Sequence, residues 1–156
     1  MEKKRYTAAI VGGGGGGMLS LNALLASDRY QVLAIADINP ETRCRLAEKY
    51  PELRIYPGWR EMFVACPTEV VCVSTWPPSH HEVVMAALET LPELKGLLCE
   101  KPLADTTARG RSILSAVEQR RLPVVVPHGM LQMRHTLEIL DRVRQGDIGT
   151  LELVEI

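Results

Sequence analysis

Residues 8–27 read AAIVGGGGGGMLSLNALLAS: a short apolar run, six consecutive glycines at 12–17, and a stretch with apolar residues at helical spacing. A glycine run is either a slack linker or a phosphate loop, and its flanks decide which. Here a strand-like segment leads in and a helix-like segment leads out, which is the strand–turn–helix unit of a dinucleotide fold. The G-x-G-x-x-G pattern of that unit fits six glycines in one register. Gly12, Gly14 and Gly17 take the required places, and Gly13, Gly15 and Gly16 lie between them. Glycines 15 and 16 are then an excess at a helix start, costing about 0.5–1 kcal/mol each relative to alanine.

The second apolar run, VLAIAD (32–37), ends in Asp37, 20 residues beyond Gly17. A carboxylate at that spacing accepts hydrogen bonds from the adenine-ribose hydroxyls and repels a 2′-phosphate, so the expected cofactor is NAD in preference to NADP. Arg43, one to two turns into the following helix, is read as a surface residue, with reach to a phosphate, and so NADP, as the alternative.

Outward from this unit the pattern repeats. Apolar, non-alternating runs at 8–11, 32–37, 54–56, 69–75, 97–100 and 123–127 predict six strands covered on both faces. Amphipathic stretches at 17–27, 40–50, 58–66, 79–91, 105–121 and 132–145 predict the helices between and after them. Asn39-Pro40 reads as an N-cap with proline at the first helical position, and Gly146 as a C-terminal stop. The expected fold is α/β: a Rossmann-type, doubly wound parallel sheet of about six strands over residues 1–128. Residues 129–156 are expected to form a connecting helix and, in LELVEI (151–156), the first strand of a second, truncated or absent α/β domain.

Composition narrows the functions available. The chain is 46% apolar and carries a formal charge of −1, which excludes both a disordered chain and the strongly basic field that nucleic acid attracts. No window approaches a membrane span, so a small-molecule partner is expected and neither nucleic acid nor membrane. Cys44, Cys66, Cys72 and Cys99 have no C-x-x-C pair and are read as reduced and structural, in a cytoplasmic protein. Neither His80-His81 nor the cysteine and histidine set has metal-ligand spacing, so no metal is expected.

In open α/β sheets the chemistry gathers beyond the carboxyl ends of the strands. The fourth run is followed by Ser74-Thr75-Trp76-Pro77-Pro78-Ser79-His80, and the fifth ends in Glu100-Lys101-Pro102. The second of these resembles the E-K-P signature of the glucose-fructose oxidoreductase, inositol dehydrogenase and rhizopine-catabolism family, Gfo/Idh/MocA. The glycine loop, the D-x-N-P-E that opens at Asp37, the S-T-x-P-x-x-H stretch and a closing G-D-I-G-T at 146–150 fall in the family's order. Where members typically carry a histidine in the first helix this chain has Ser20, and Pro127-His128-Gly129-Met130-Leu131 stands where they carry an arginine.

The resemblance implies the cofactor-binding domain of an oxidoreductase that moves a hydride between NAD(H) and a secondary alcohol of a sugar, cyclitol or related polyol. It implies Lys101 as the catalytic residue, hydrogen-bonded to the substrate oxygen and assisting its proton transfer. Gly12 to Gly17, Met18, Asp37, Ile38, Ser74, Thr75, Trp76, Pro77, His80, Glu100, Lys101 and Pro102 are the expected cofactor-binding set. Pro102 is a candidate for a cis peptide bond, and His80 for either a cofactor neighbour or a satisfied core histidine. A homo-oligomer, formed through the absent domain or the terminal strand, is expected. A non-enzymatic nucleotide-binding module with a sensing or regulatory role is the alternative.

Overall fold

The computed structural model describes residues 4–153. The elements run β1 (Tyr6–Val11), α1 (Gly15–Leu25), β2 (Tyr30–Ala36), α2 (Pro40–Lys49), β3 (Arg54–Tyr56), α3 (Trp59–Ala65), β4 (Val70–Val73), α4 (Pro77–Thr90), β5 (Gly96–Cys99), α5 (Thr107–Gln119), β6 (Val124–Val125), a 3₁₀ turn (Gly129–Gln132) and α6 (Arg134–Arg144). All strand pairs are parallel, in the order β3-β2-β1-β4-β5-β6. This is the doubly wound Rossmann arrangement, with its switch in direction between β1 and β4.

Both faces of the sheet are covered, which is why the strands show no alternation. On one face Ile10, Val32, Ile35 and Cys72 pack with Leu21 of α1 and Leu46 of α2. On the other, Ala9, Ala34, Val71, Val73, Leu97 and Cys99 meet Met62 and Phe63 of α3, Val83, Val84 and Ala87 of α4, and Ile113 and Val117 of α5. Cys66, Cys72 and Cys99 are buried thiols, and burial pushes those of Cys72 and Cys99 up to about 12. Cys44 departs from the structural reading, for it is exposed on α2.

Two helices begin before the amphipathic stretches expected for them. Helix α1 begins at Gly15, the first of the two glycines read as its costly start and two residues before the amphipathic stretch at 17–27, with Gly14 as an extended N-cap. Helix α4 begins at Pro77 behind the N-cap Trp76. Its two leading prolines lack N–H groups that would have had no helical partner there. At α2 the expected cap forms: Asn39 Oδ1 accepts from the N–H groups of Glu41 (2.8 Å) and Thr42 (3.2 Å). Gly146, at φ +82°, closes α6 by donating to Val143 O (3.1 Å), and Asp147 N–H donates to Arg142 O (3.1 Å). Of the expected strand at 151–156, residues 151–153 are irregular and 154–156 lie outside the described residues.

At the amino-terminal edge of the sheet Glu69 ties three segments together. Its Oε2 accepts from Thr7 N–H (3.2 Å), and its carboxylate pairs with Lys95 and with Lys4 (3.3 Å). The Lys95 ammonium, then Thr7 N–H, hold its carboxyl down to about 2 from an ordinary 4.5. Because the folded value lies below the unfolded one, this stabilisation is complete above pH 4.5 and is lost as the pH falls towards 2. Glu69→Gln is therefore expected to lower Tm at neutral pH. In melts recorded across pH the gap from the parent should close on approach to about pH 2.

Candidate nucleotide and catalytic site

The carboxyl ends of four strands stop level. Val11 is in register with Ala36 on one side and Val73 on the other, and Val73 is in register with Cys99. The next residue of each strand then donates its N–H to a neighbouring strand. Gly12 bonds to Ala36 O (2.7 Å), Asp37 to Tyr56 O (3.1 Å), Ser74 to Val11 O (2.7 Å) and Glu100 to Val73 O (2.8 Å). Four loops therefore leave the sheet side by side, from strands about 4.8 Å apart.

The glycines divide by what surrounds them. Gly12 has φ +97°, and a Cβ there would stand 2.5 Å from Ser74 O. At Gly17 a Cβ would lie 1.8 Å from Gly12 O, so the start of α1 rests directly on the turn before it. At Gly14 nothing lies within 4 Å, which leaves its backbone open to an incoming group. Gly13, read from spacing as a free position, is not free: a Cβ would meet Leu46 Cδ1 at 2.6 Å and Thr42 Cγ2 at 3.0 Å. Gly15 stands in open space, and Gly16 faces the side chain of Glu100 at 3.2 Å. The Glu100 carboxylate thus lies over the first turn of α1, where the N-terminal dipole favours it.

Asp37 is held from both sides. Its Oδ2 accepts from Gly13 N–H (2.6 Å) and its Oδ1 from Asn39 N–H (2.7 Å). Arg43 is not a free surface side chain, since its Nη1 donates to the carbonyls of Asp37 and Ile38, both at 2.9 Å. The guanidinium therefore fixes the loop that presents the carboxylate.

On the far side of the switch point, Ser79 Oγ donates within the loop of Thr75 and Trp76, with Thr75 Oγ1 and Trp76 O each at 2.8 Å. Trp76 itself is 78% exposed and Ile38 is 87% exposed, high values for apolar side chains beside a cleft. The Lys101-Pro102 bond is cis, Lys101 is exposed, and its N–H donates to Glu100 Oε2 (3.2 Å). His80 is fully buried, with both ring nitrogens facing backbone carbonyls, so it presents no free polar atom to a ligand.

A cleft of about 500 Å³ runs between these loops, lined by Gly12, Gly14, Asp37, Ile38, Ser74, Thr75, Trp76 and Ser79, with Gly58 and Trp59 at its end. Met18 lies apart, in a smaller recess behind the glycine turn with Arg45 and Lys49. Trp59, stacked against the Arg60 guanidinium at 4.1 Å, escaped the sequence reading. It follows the carboxyl end of β3, so the strand-end rule applied to the third strand finds it. Among the described residues no three His, Cys, Asp or Glu side chains converge in a metal-holding group, and no helix is long and apolar enough to cross a membrane.

The family model for oxidoreductases of the Gfo/Idh/MocA type, NAD-binding Rossmann fold, matches residues 6–128. The chain belongs to that family. Inositol 2-dehydrogenase of Pseudomonas fluorescens is 38% identical over 95 residues, which cover 59% of this chain and 27% of that protein. Inositol 2-dehydrogenase/D-chiro-inositol 3-dehydrogenase of Shouchella clausii is 31% identical over 120 residues, 69% of this chain and 33% of its own length. The crystal structure of an NAD-binding protein from Listeria innocua superimposes with a TM-score of 0.81 at 27% identity, over 94% of this chain and 42% of that one. The chain thus spans less than half the length of the relatives it matches.

Within this family fold the residues present fit NAD. Ser74 Oγ is buried in the cleft wall without a hydrogen-bond partner, a deficit that a ligand hydroxyl or amide would satisfy. Gly12 and Gly17 close a turn that a Cβ would break, while the open backbone at Gly14 and the unsatisfied N–H groups of α1 suit a pyrophosphate.

Proposed function

We propose that this chain is the NAD-binding part of an oxidoreductase that interconverts a secondary alcohol and a ketone on a sugar, cyclitol or related polyol. The observation that carries the reading is the row of loops at one edge of the sheet. It brings the glycine turn and Asp37 to adjacent strand ends, with Glu100-Lys101-Pro102 two strands from the glycine turn. A cyclitol is favoured because the relatives include inositol 2-dehydrogenases.

In this reading the turn at Gly12–Gly17 and the N-terminus of α1 hold the pyrophosphate, and Asp37 accepts the adenine-ribose hydroxyls. Ile38 and Trp76 cover the flat faces of the bound molecule, Ser74, Thr75 and Pro77 line its path, and Met18 backs the glycine turn. Bound NAD supplies the hydride acceptor. Lys101 hydrogen-bonds the substrate hydroxyl and exchanges its proton through Nζ, while Glu100 and Pro102 fix the lysine backbone. A regulatory module would need the nucleotide side of the cleft but not Glu100-Lys101-Pro102, and this favours the enzyme.

Residues 1–128 form the cofactor domain in this scheme and 129–156 connect it onward. Helix α6 supports that division, since none of its residues is buried and Leu137, Ile139 and Leu140 lie exposed along it. We place interdomain or homo-oligomeric contacts on that face. Four free cysteines support a reducing compartment and the cytoplasm as the location.

The test uses the two tryptophans of the chain, Trp59 and Trp76, which both line the cleft. Titration with NADH is expected to quench their emission and saturate below about 1 mM. NADPH should bind at least about tenfold more weakly, a difference of about 1.4 kcal/mol attributable to repulsion by Asp37. Absence of binding by either nucleotide at millimolar concentration overturns the reading, and preferential binding of NADPH overturns the role of Asp37.

A further inference from the structure

The loop on the cofactor side and the loop that carries Lys101 are joined beneath the cleft by one buried side chain. His80, in the first turns of α4, has 0% of its surface exposed. Its Nε2 lies 2.9 Å from Thr75 O, and its Nδ1 lies 2.9 Å from Pro102 O. Thr75 lines the cleft, and Pro102 directly follows Lys101. A carbonyl oxygen only accepts, so each contact is a hydrogen bond only where the ring nitrogen carries hydrogen.

An apolar residue of similar size would fill this volume at no polar cost, but it would leave both carbonyls without the ring. We propose that His80 is a positioning residue, a two-ended strut whose ring nitrogens each face the carbonyl of one loop and whose length sets the separation of the cofactor loop from the Lys101 loop. What the two loops do rests on the functional reading above; the strut itself does not.

The two ends can be cut separately. His80→Asn places an amide nitrogen near the position of Nδ1 and keeps the Pro102 end, while His80→Gln places one near Nε2 and keeps the Thr75 end. Hydrogen exchange followed by mass spectrometry reads peptides covering 74–79 and 100–105 in the 156-residue chain, alongside NADH affinity from tryptophan emission. His80→Asn is expected to speed exchange at 74–79 and to raise the NADH Kd, each by about tenfold, as the loss of one hydrogen bond does. Its 100–105 segment should exchange at the parent rate. His80→Gln is expected to speed 100–105 by about tenfold with NADH Kd within about twofold of the parent. His80→Phe should loosen both segments.

Equal loosening of both segments in the Asn and Gln variants, or of neither, overturns the strut. A parent chain that fails to bind NADH would sink the functional reading alone, because exchange in the free chain still decides the strut.

Discussion

Gly17→Ala is expected to lower Tm by about 6–12 °C and to abolish NADH binding. The added Cβ would stand 1.8 Å from Gly12 O, and the obstacle is backbone, so no rotamer change relieves it. Either α1 moves off the sheet or the turn opens. Overpacking at the upper end of its usual range costs about 3 kcal/mol, and in a chain of this size each kcal/mol moves Tm by about 2–4 °C. Gly15→Ala is the control, because its Cβ points into open space. It should leave Tm unchanged or raise it, by up to about 1 kcal/mol in stability, and leave NADH binding intact. Differential scanning calorimetry with a parallel NADH titration separates the two variants. Equal behaviour would mean that the turn does not have the packing described.

The second large effect falls on catalysis. On the oxidoreductase reading proposed above, Lys101→Ala should reduce kcat for polyol oxidation by about 10²–10⁴-fold, the range for loss of a positioned proton-transfer group. NADH affinity should stay within about twofold, since Lys101 stands two strands from the glycine turn. Lys101→Arg should fail to restore the rate, because guanidinium keeps its charge and does not give up a proton. An unchanged kcat in the alanine variant would remove Lys101 from the mechanism.

The strands were legible because each is short, apolar and unalternating, a pattern that only two-sided burial produces. The level strand ends, and hence the row of loops, follow from parallel pairing, so Asp37, Ser74 and Glu100 could be named from their place after a strand. What escaped depends on distances between segments far apart in sequence. Nothing in the glycine run says that Leu46 closes on Gly13, that Glu100 lies over Gly16, or that Arg43 turns back to the carbonyls of Asp37 and Ile38. His80 was left open between cofactor neighbour and core residue, and its two carbonyl partners come from loops that flank it at a separation of 5 and 22 residues. The amphipathic stretches at 17–27 and 79–91 each fall short of the true helix start, at Gly15 and Pro77, for a local reason. Glycine and proline interrupt a helix interior, but the first turn needs neither a Cβ nor an N–H.

The packing of Gly12 against Ser74 also ties the shape of the glycine turn to a segment made much later in synthesis. Strands β1 and β4 pair between residues 8–11 and 70–73, and the loop that carries Lys101 begins only at Glu100. The glycine turn is among the first segments made, yet its neighbour across the switch point emerges some 60 residues later, after β2 and β3 have been translated. A nascent chain halted before β4 therefore carries the whole G-x-G-x-x-G signature without the wall that shapes it. The turn is completed only by a long-range pairing, whose closure entropy grows with the chain between its ends.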